Sequence, residues 1–328
     1  MPDTTPPQAR TLAITAYPPS GRQHEIRHAD HVAIVTEVGA ALRSYAVGSR
    51  EVLDGFARDA MADGGRGQVL APWPNRVRDG TWTWAGVELQ LGLTEAAKRN
   101  AIHGFVRWVA WDLDDATEDR VSLTTTVWPQ PGYPFRLALR ATYALDDDGL
   151  TVTLTARNES SRPAPYGIGQ HPYLAAITAT GPTTNASPDA PLDGCLLTVP
   201  ATTRLLTDER GNPVGTESVV GTTYDFRTAR PIDDLVLDTA FTDLLPDQDG
   251  RSRVRLDRPD GTFTELWADG STRWLQVFSG DTLAEGRRRQ GLAVEPMSCP
   301  AGAFVSETDL VVLDPSAEHT LRWGLQIG

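Results

Sequence analysis

Residues Phe135 to Ala156 read FRLALRATYALDDDGLTVTLTA, and this stretch decides the fold class. Phe135, Leu137, Leu139, Ala141, Tyr143 and Leu145 occupy every second position, with small or polar residues between them. That two-residue period belongs to a strand with one buried face. Asp146-Asp147-Asp148-Gly149 supplies turn chemistry, and Leu150, Val152, Leu154 and Ala156 return with the same alternation. The stretch predicts a long antiparallel hairpin.

Working outward, the pattern repeats. Val121 to Trp128 reads as the preceding strand, and Val32, Ile34, Thr36 and Val38 alternate with Ala33, Val35 and Glu37. Trp82 and Trp84 alternate into Ala85-Gly86, and Val87, Leu89 and Leu91 alternate out, which predicts a second hairpin. Thr262 to Trp267, Trp274 to Phe278 and Leu310 to Leu313 continue the theme, and Leu321, Trp323, Leu325 and Ile327 close it. No segment sustains a 3.6-residue apolar period, so helices are expected to be short and few. The expected fold is all-β, a large antiparallel sandwich. Gly181 to Gly194, rich in Pro, Asn, Asp and Thr, reads as a long surface loop because the strand pattern is alike on both sides. One domain over residues 1–328 is therefore expected, with residues 1–30 as a polar leader.

The 328 residues are 40% hydrophobic and 22% charged, enough apolar material for a sizeable core. A net charge of -13 argues against nucleic acid and anionic membrane as partners. Cys195 and Cys299 lie far apart with no metal-ligand spacing, and read as free thiols of a reducing compartment. No basic-then-apolar segment opens the chain and no run approaches a membrane span, so a cytoplasmic location is expected.

Gly291 to Ala301, GLAVEPMSCPA, holds the first chemical candidate. Leu292, Ala293 and Val294 read as a buried strand running into Glu295, and Pro296 is expected to take the chain out of the sheet. A carboxylate there is either paired structurally or used in chemistry. Of six histidines, His24, His28 and His31 fall in the leader and His319 in a polar turn, and these read as solvated. His103 in Asn100–Phe105 and His171 in Tyr166–Tyr173 are flanked by glycine and proline that shape backbone around a side chain. Each is either a satisfied core histidine or a functional one. Asn75 and Arg76 follow a proline-flanked Trp73; a tight loop with Arg76 pairing an acid is the simple alternative.

PWPNRVRDGTWTWAGVELQL, NAIHGFVRW, GQHPYL, LDTAFTDL and AVEPMSCPAGAF occur in that order. Together they resemble the aldose 1-epimerase (galactose mutarotase) family, over about Val32 to Ile327. The resemblance implies one β-supersandwich with a sugar site in a cleft on the sheet, and chemistry without metal or cofactor. It implies Glu295 as general base and His171 as general acid, with His103 beside the sugar ring. Asn75, Arg76 and Asp238 become hydroxyl ligands. A monosaccharide is the expected partner, and a monomer or homodimer the expected assembly. Gln170 and Pro172 flank His171, and Pro296-Met-Ser-Cys-Pro300 follows Glu295, where many members differ; PWPNR resembles a bacterial subgroup that includes sulfoquinovose mutarotase-like proteins. These departures leave the acid–base pair intact and the sugar open. Arg287, Arg288 and Arg289 read either as a solvated turn or as a source of one contact to an anionic sugar group, and Trp73 either as core or as a stacking surface. Alternatives are a hexose-6-phosphate or sulfoquinovose-type epimerase of the same fold, or a non-catalytic sugar-binding sandwich.

Overall fold

The computed structural model describes residues 17–177 and 190–328. The stretch from Phe135 to Ala156 is a hairpin of Leu137–Asp146 and Gly149–Asn158, paired without slippage from Leu137↔Asn158 to Asp146↔Gly149. Leu137, Leu139, Tyr143, Val152 and Leu154 are buried, while Arg140 and Arg157 on the opposite face are exposed. Gly149 has φ +125°, and a Cβ there would lie 2.2 Å from the Leu325 carbonyl oxygen, so only glycine fits this turn against the closing strand.

That hairpin sits within a nine-stranded sheet. Arg120–Val127 flanks it on one side, and Glu318–Ile327, then Phe263–Ala268 and Ser252–Asp257, on the other. An eight-stranded sheet runs from Pro213–Ser218 through Ala201–Thr207, Asp238–Leu244, Trp274–Phe278 and Gly291–Met297 to Gly169–Gln170 and Val69–Leu70. Tyr173–Ala175 also pairs with Gly291–Met297. Leu137, Tyr143, Val152 and Trp323 from the first sheet share one buried cluster with Leu275, Val277, Leu292 and Val294 from the second. Each such apolar side chain contributes about 1.5–3 kcal/mol on burial. Among the described residues all pairings within these two sheets are antiparallel, and the one α-helix is Ala303–Ser306, as the lack of a helical period predicted.

Three expectations change. The leader is shorter than 30 residues: Gln23–His28 is a strand paired with His31–Thr36 in a four-stranded sheet. Two of its histidines are engaged, His28 pairing with Asp147 at 2.7 Å and His31 Nδ1 lying 2.8 Å from the Tyr45 hydroxyl. His319 is on the closing strand rather than in a turn, 2.5 Å from the Tyr166 hydroxyl. Of the Gly181 to Gly194 loop, 181–189 lie outside the described residues, and Pro191–Gly194 forms a 3-10 turn with Pro191 and Leu192 buried. Both cysteines are free and buried. No helix among the described residues is long and apolar enough to cross a membrane.

Candidate active site

Strand register brings Glu295 and His171 together. Gly169 pairs with Met297 and Tyr173 with Ala293, and the same register carried across the interruption sets His171 opposite Glu295. His171 Nε2 lies 3.2 Å from Glu295 Oε1, and both side chains are buried. The sheet does not end at Pro296 as expected: the strand runs to Met297, with Pro296 opposite Leu275. Val294 N–H donates to the Pro172 carbonyl, so alternate residues of this strand face the His171 side, Pro296 among them. Pro296 falls opposite Gln170, between the Val294–Pro172 and Ser298–Ile168 backbone bonds, so its missing N–H leaves one gap in a ladder that continues on both sides.

A second corner is built by two residues in the left-handed region, Asn75 (φ 56°) and His103 (φ 61°). Such residues are uncommon and enriched in Asn and His. They hold each other: His103 N–H donates to the Asn75 carbonyl at 2.8 Å, and Asn75 N–H donates to His103 Nδ1 at 3.1 Å. The second bond makes Nδ1 an acceptor, so the neutral ring carries its proton on Nε2. Arg76 pairs with Glu95 through two bonds of 2.8 and 3.0 Å, as the simple reading expected, yet it also approaches Asp238 at 4.0 Å. Gln276, opposite Glu295 on the next strand, donates to Asp238 at 2.6 Å and accepts from the Asn75 amide at 3.2 Å.

Asn75, Arg76, His103, His171, Asp238 and Glu295 all line one cleft of about 430 Å³. The size suits a small organic ligand. Sequence reasoning missed Gln276, though a lone polar residue in the apolar run WLQVF was the available signal. It also passed over Arg107 and Trp108, which line the cleft and end the NAIHGFVRW motif. Trp108 is half-exposed at the rim, whereas Trp73 is buried against Phe105 and Phe304 and fills core. The arginine run does not reach the cleft: Arg287 pairs with Asp54 and Asp63, Arg289 with Asp193 and Asp281, and Arg288 is exposed. A larger groove of about 660 Å³ crosses the nine-stranded sheet beside Thr124, Trp128 and Arg140, with no acid–base pair in it.

The sequence profile described as aldose 1-epimerase matches residues 22–326. This chain belongs to the aldose 1-epimerase family. It is 33% identical over 319 residues to an uncharacterised Escherichia coli K12 protein, YihR, with 96% of each chain covered. Among solved structures it resembles a Caenorhabditis elegans GalM/aldose epimerase homologue (TM-score 0.81, 16% identity, 94% of this chain and 98% of that one). It also resembles galactose 1-epimerase from Lactobacillus acidophilus NCFM (TM-score 0.73, 20% identity, 93% and 94% covered). Those two likenesses support the fold.

The electrostatics of this family member's cleft follow from its burial. Loss of water raises the Glu295 pKa well above the ordinary carboxylate value; Asp238 adds to this, and Arg76 and Arg107 oppose it. Burial, then Arg107 and Arg66, lowers that of His171. Burial thus favours neutral forms of both Glu295 and His171, whereas a base and an acid for ring opening would be a carboxylate and an imidazolium. His103 is held neutral by burial, with Arg107 and His171 acting the same way. Burial also disfavours the Arg107 charge, Glu295 partly offsets it, and its Nε has no hydrogen-bond partner among the described residues. His103, His171 and Glu295 place three donor atoms within 4.8 Å of one another. His103 is a poor metal ligand, because Nδ1 is occupied by the Asn75 N–H and coordination at Nε2 would strip the remaining proton.

Proposed function

We propose that this protein interconverts the α and β anomers of a free aldose by opening and reclosing the pyranose ring, with Glu295 as base and His171 as acid. The observation that carries this is the buried pair at 3.2 Å in the cleft; family membership supports it. Opening needs a proton taken from the C1 hydroxyl and another given to the ring oxygen. Closing onto the other face of the aldehyde, after rotation about C1–C2, returns both. With the closed sugar bound, the pair acts as carboxylate and imidazolium; once the ring opens, Glu295 holds a proton and His171 is neutral. That second arrangement is the one burial favours, and the two differ by one proton moved within the pair. Arg76 and Arg107 favour the carboxylate when the closed ring binds. No proton need enter from water, and each positioned group supplies about 10²–10⁴-fold. Neutral His103 donates its Nε2 proton to the sugar, while Asn75, Arg76 and Asp238 hold hydroxyls.

A purely sugar-binding sandwich would have no use for a buried carboxyl and imidazole in contact, since burying unused polar groups costs stability. Arg107 favours a second reading within the same chemistry. An arginine without an ion-pair partner among the described residues, set in a cleft, suits a phosphate or sulfonate substituent. The deciding experiment follows the anomeric proton signals of fresh α-glucose, α-galactose and sulfoquinovose with and without the protein. Faster equilibration of any of them supports ring opening, and its ranking separates neutral from anionic substrates. Binding by calorimetry without acceleration would replace this reading with the binding-protein one.

A further inference from the structure

A catalytic imidazole is usually oriented through its second nitrogen. His171 lacks that device: among the described residues, Nδ1 has no hydrogen-bond partner on another residue. Its engaged atom is Nε2, against Glu295, and one contact does not fix the plane of a ring. What does so is packing. Tyr173 stacks flat on the imidazole, with centroids 5.0 Å apart and planes within 10°. Beyond Tyr173 the Arg66 guanidinium lies 4.0 Å from the phenol centroid. Arg66 is 1% exposed and is held by Asp54 at 2.7 Å and Asp63 at 3.1 Å. The Tyr173 hydroxyl donates to the Gly64 carbonyl at 2.9 Å. Gly65 closes another side, since a Cβ there would stand 2.8 Å from His171 Cδ2.

We propose that Tyr173 and Arg66 are positioning residues for His171, a guanidinium–phenol–imidazole column that holds the imidazole plane so that Nε2 meets the ring oxygen of the sugar. The proposal rests on the ring-opening reading above. Two ion pairs anchor the base of the column, and the flat guanidinium fixes the phenol face. The phenol in turn sets the one angle of His171 that no hydrogen bond sets. The neighbouring charge also opposes protonation of His171, which makes its imidazolium a readier proton donor.

The test uses Tyr173→Phe and Tyr173→Leu, each alone and combined with His171→Gln, with anomer exchange and histidine ring NMR as readouts. Tyr173→Phe keeps the stack and is expected to retain the wild-type rate. Tyr173→Leu is expected to lower kcat by about tenfold to a hundredfold at unchanged KM, the size of effect that a misplaced catalytic group has. In the His171→Gln background the same change should cost nothing more, because the column acts only through His171. Its ring signals should also move as the stacked phenol is lost. An equal fold-loss in both backgrounds, or no loss in either, overturns the proposal. Should Tyr173→Leu not fold, Arg66→Lys keeps a charge beside Asp54 and Asp63 without the flat stack, and the same comparison applies. A wild-type protein that accelerates no sugar refutes the ring-opening reading instead; unmoved His171 signals in Tyr173→Leu would then overturn the column separately.

Discussion

Replacing Glu295 by glutamine is the sharpest single perturbation of this cleft. The residue is 2% exposed, and glutamine reproduces its shape. An amide oxygen can still face His171 Nε2 at the position now 3.2 Å away, so the imidazole keeps a partner and the fold loses no packing. What disappears is the ability to take a proton from the C1 hydroxyl. A positioned base supplies about 10²–10⁴-fold, which is about 3–5.5 kcal/mol of barrier. Stability should move the other way. Burial raises the Glu295 pKa, so between the ordinary carboxylate value and that raised value the folded protein binds a proton that the unfolded chain has lost. Stability therefore falls as pH rises through that window, by up to about 1.4 kcal/mol per pH unit from this one group. Glutamine has no such slope. The variant should exchange anomers 10²–10⁴-fold more slowly while matching or exceeding the wild-type urea midpoint at pH 8, the gap widening with pH. Turnover within about threefold of wild type would remove Glu295 as base. A gap in midpoint that does not change with pH would refute the protonated, buried carboxyl.

Other consequences can be checked alongside. His103 is held neutral by burial, so the unfolded chain binds a proton below about pH 6.5 that the folded protein resists; this group lowers stability as pH falls while Glu295 acts the other way, so the His103→Gln urea midpoint should gain on that of wild type from pH 7 to pH 5, and a constant difference would count against a neutral His103. Arg107→Gln should raise KM for an anionic hexose by about 10–150-fold more than for glucose or galactose, the worth of a charged hydrogen bond, while any loss of kcat through Glu295 is shared by all three; equal KM effects would remove Arg107 as an anion contact. Gly104 has φ +69°, and a Cβ would stand 1.9 Å from the Ala71 carbonyl oxygen. Gly104→Ala should therefore lower Tm through a left-handed penalty of about 1–2 kcal/mol plus the clash, and a wild-type melting curve would count against the close approach.

The strands were legible in the sequence, because a two-residue apolar period is written locally: the Phe135 to Ala156 hairpin and the Trp82 turn stand where alternation put them. The sequence also picked out Asn75, Arg76, His103, His171, Asp238 and Glu295, through motifs whose order survives in the chain, and all six meet at one cleft. Tertiary structure alone decided the rest, since it depends on what packs opposite. Pro296 stays in a strand because pairing continues on both sides of the missing N–H, a fact of register rather than of composition. Trp73 fills core and Trp108 lines the cleft; Arg289 is tied to acids while Arg107 looks into the site. No local pattern separates those pairs, because each member has the same side chain and differs only in its neighbours. The Glu295–His171 pair is the extreme case: an isolated glutamate is ionised at neutral pH, and removal of water from both side chains favours their neutral forms.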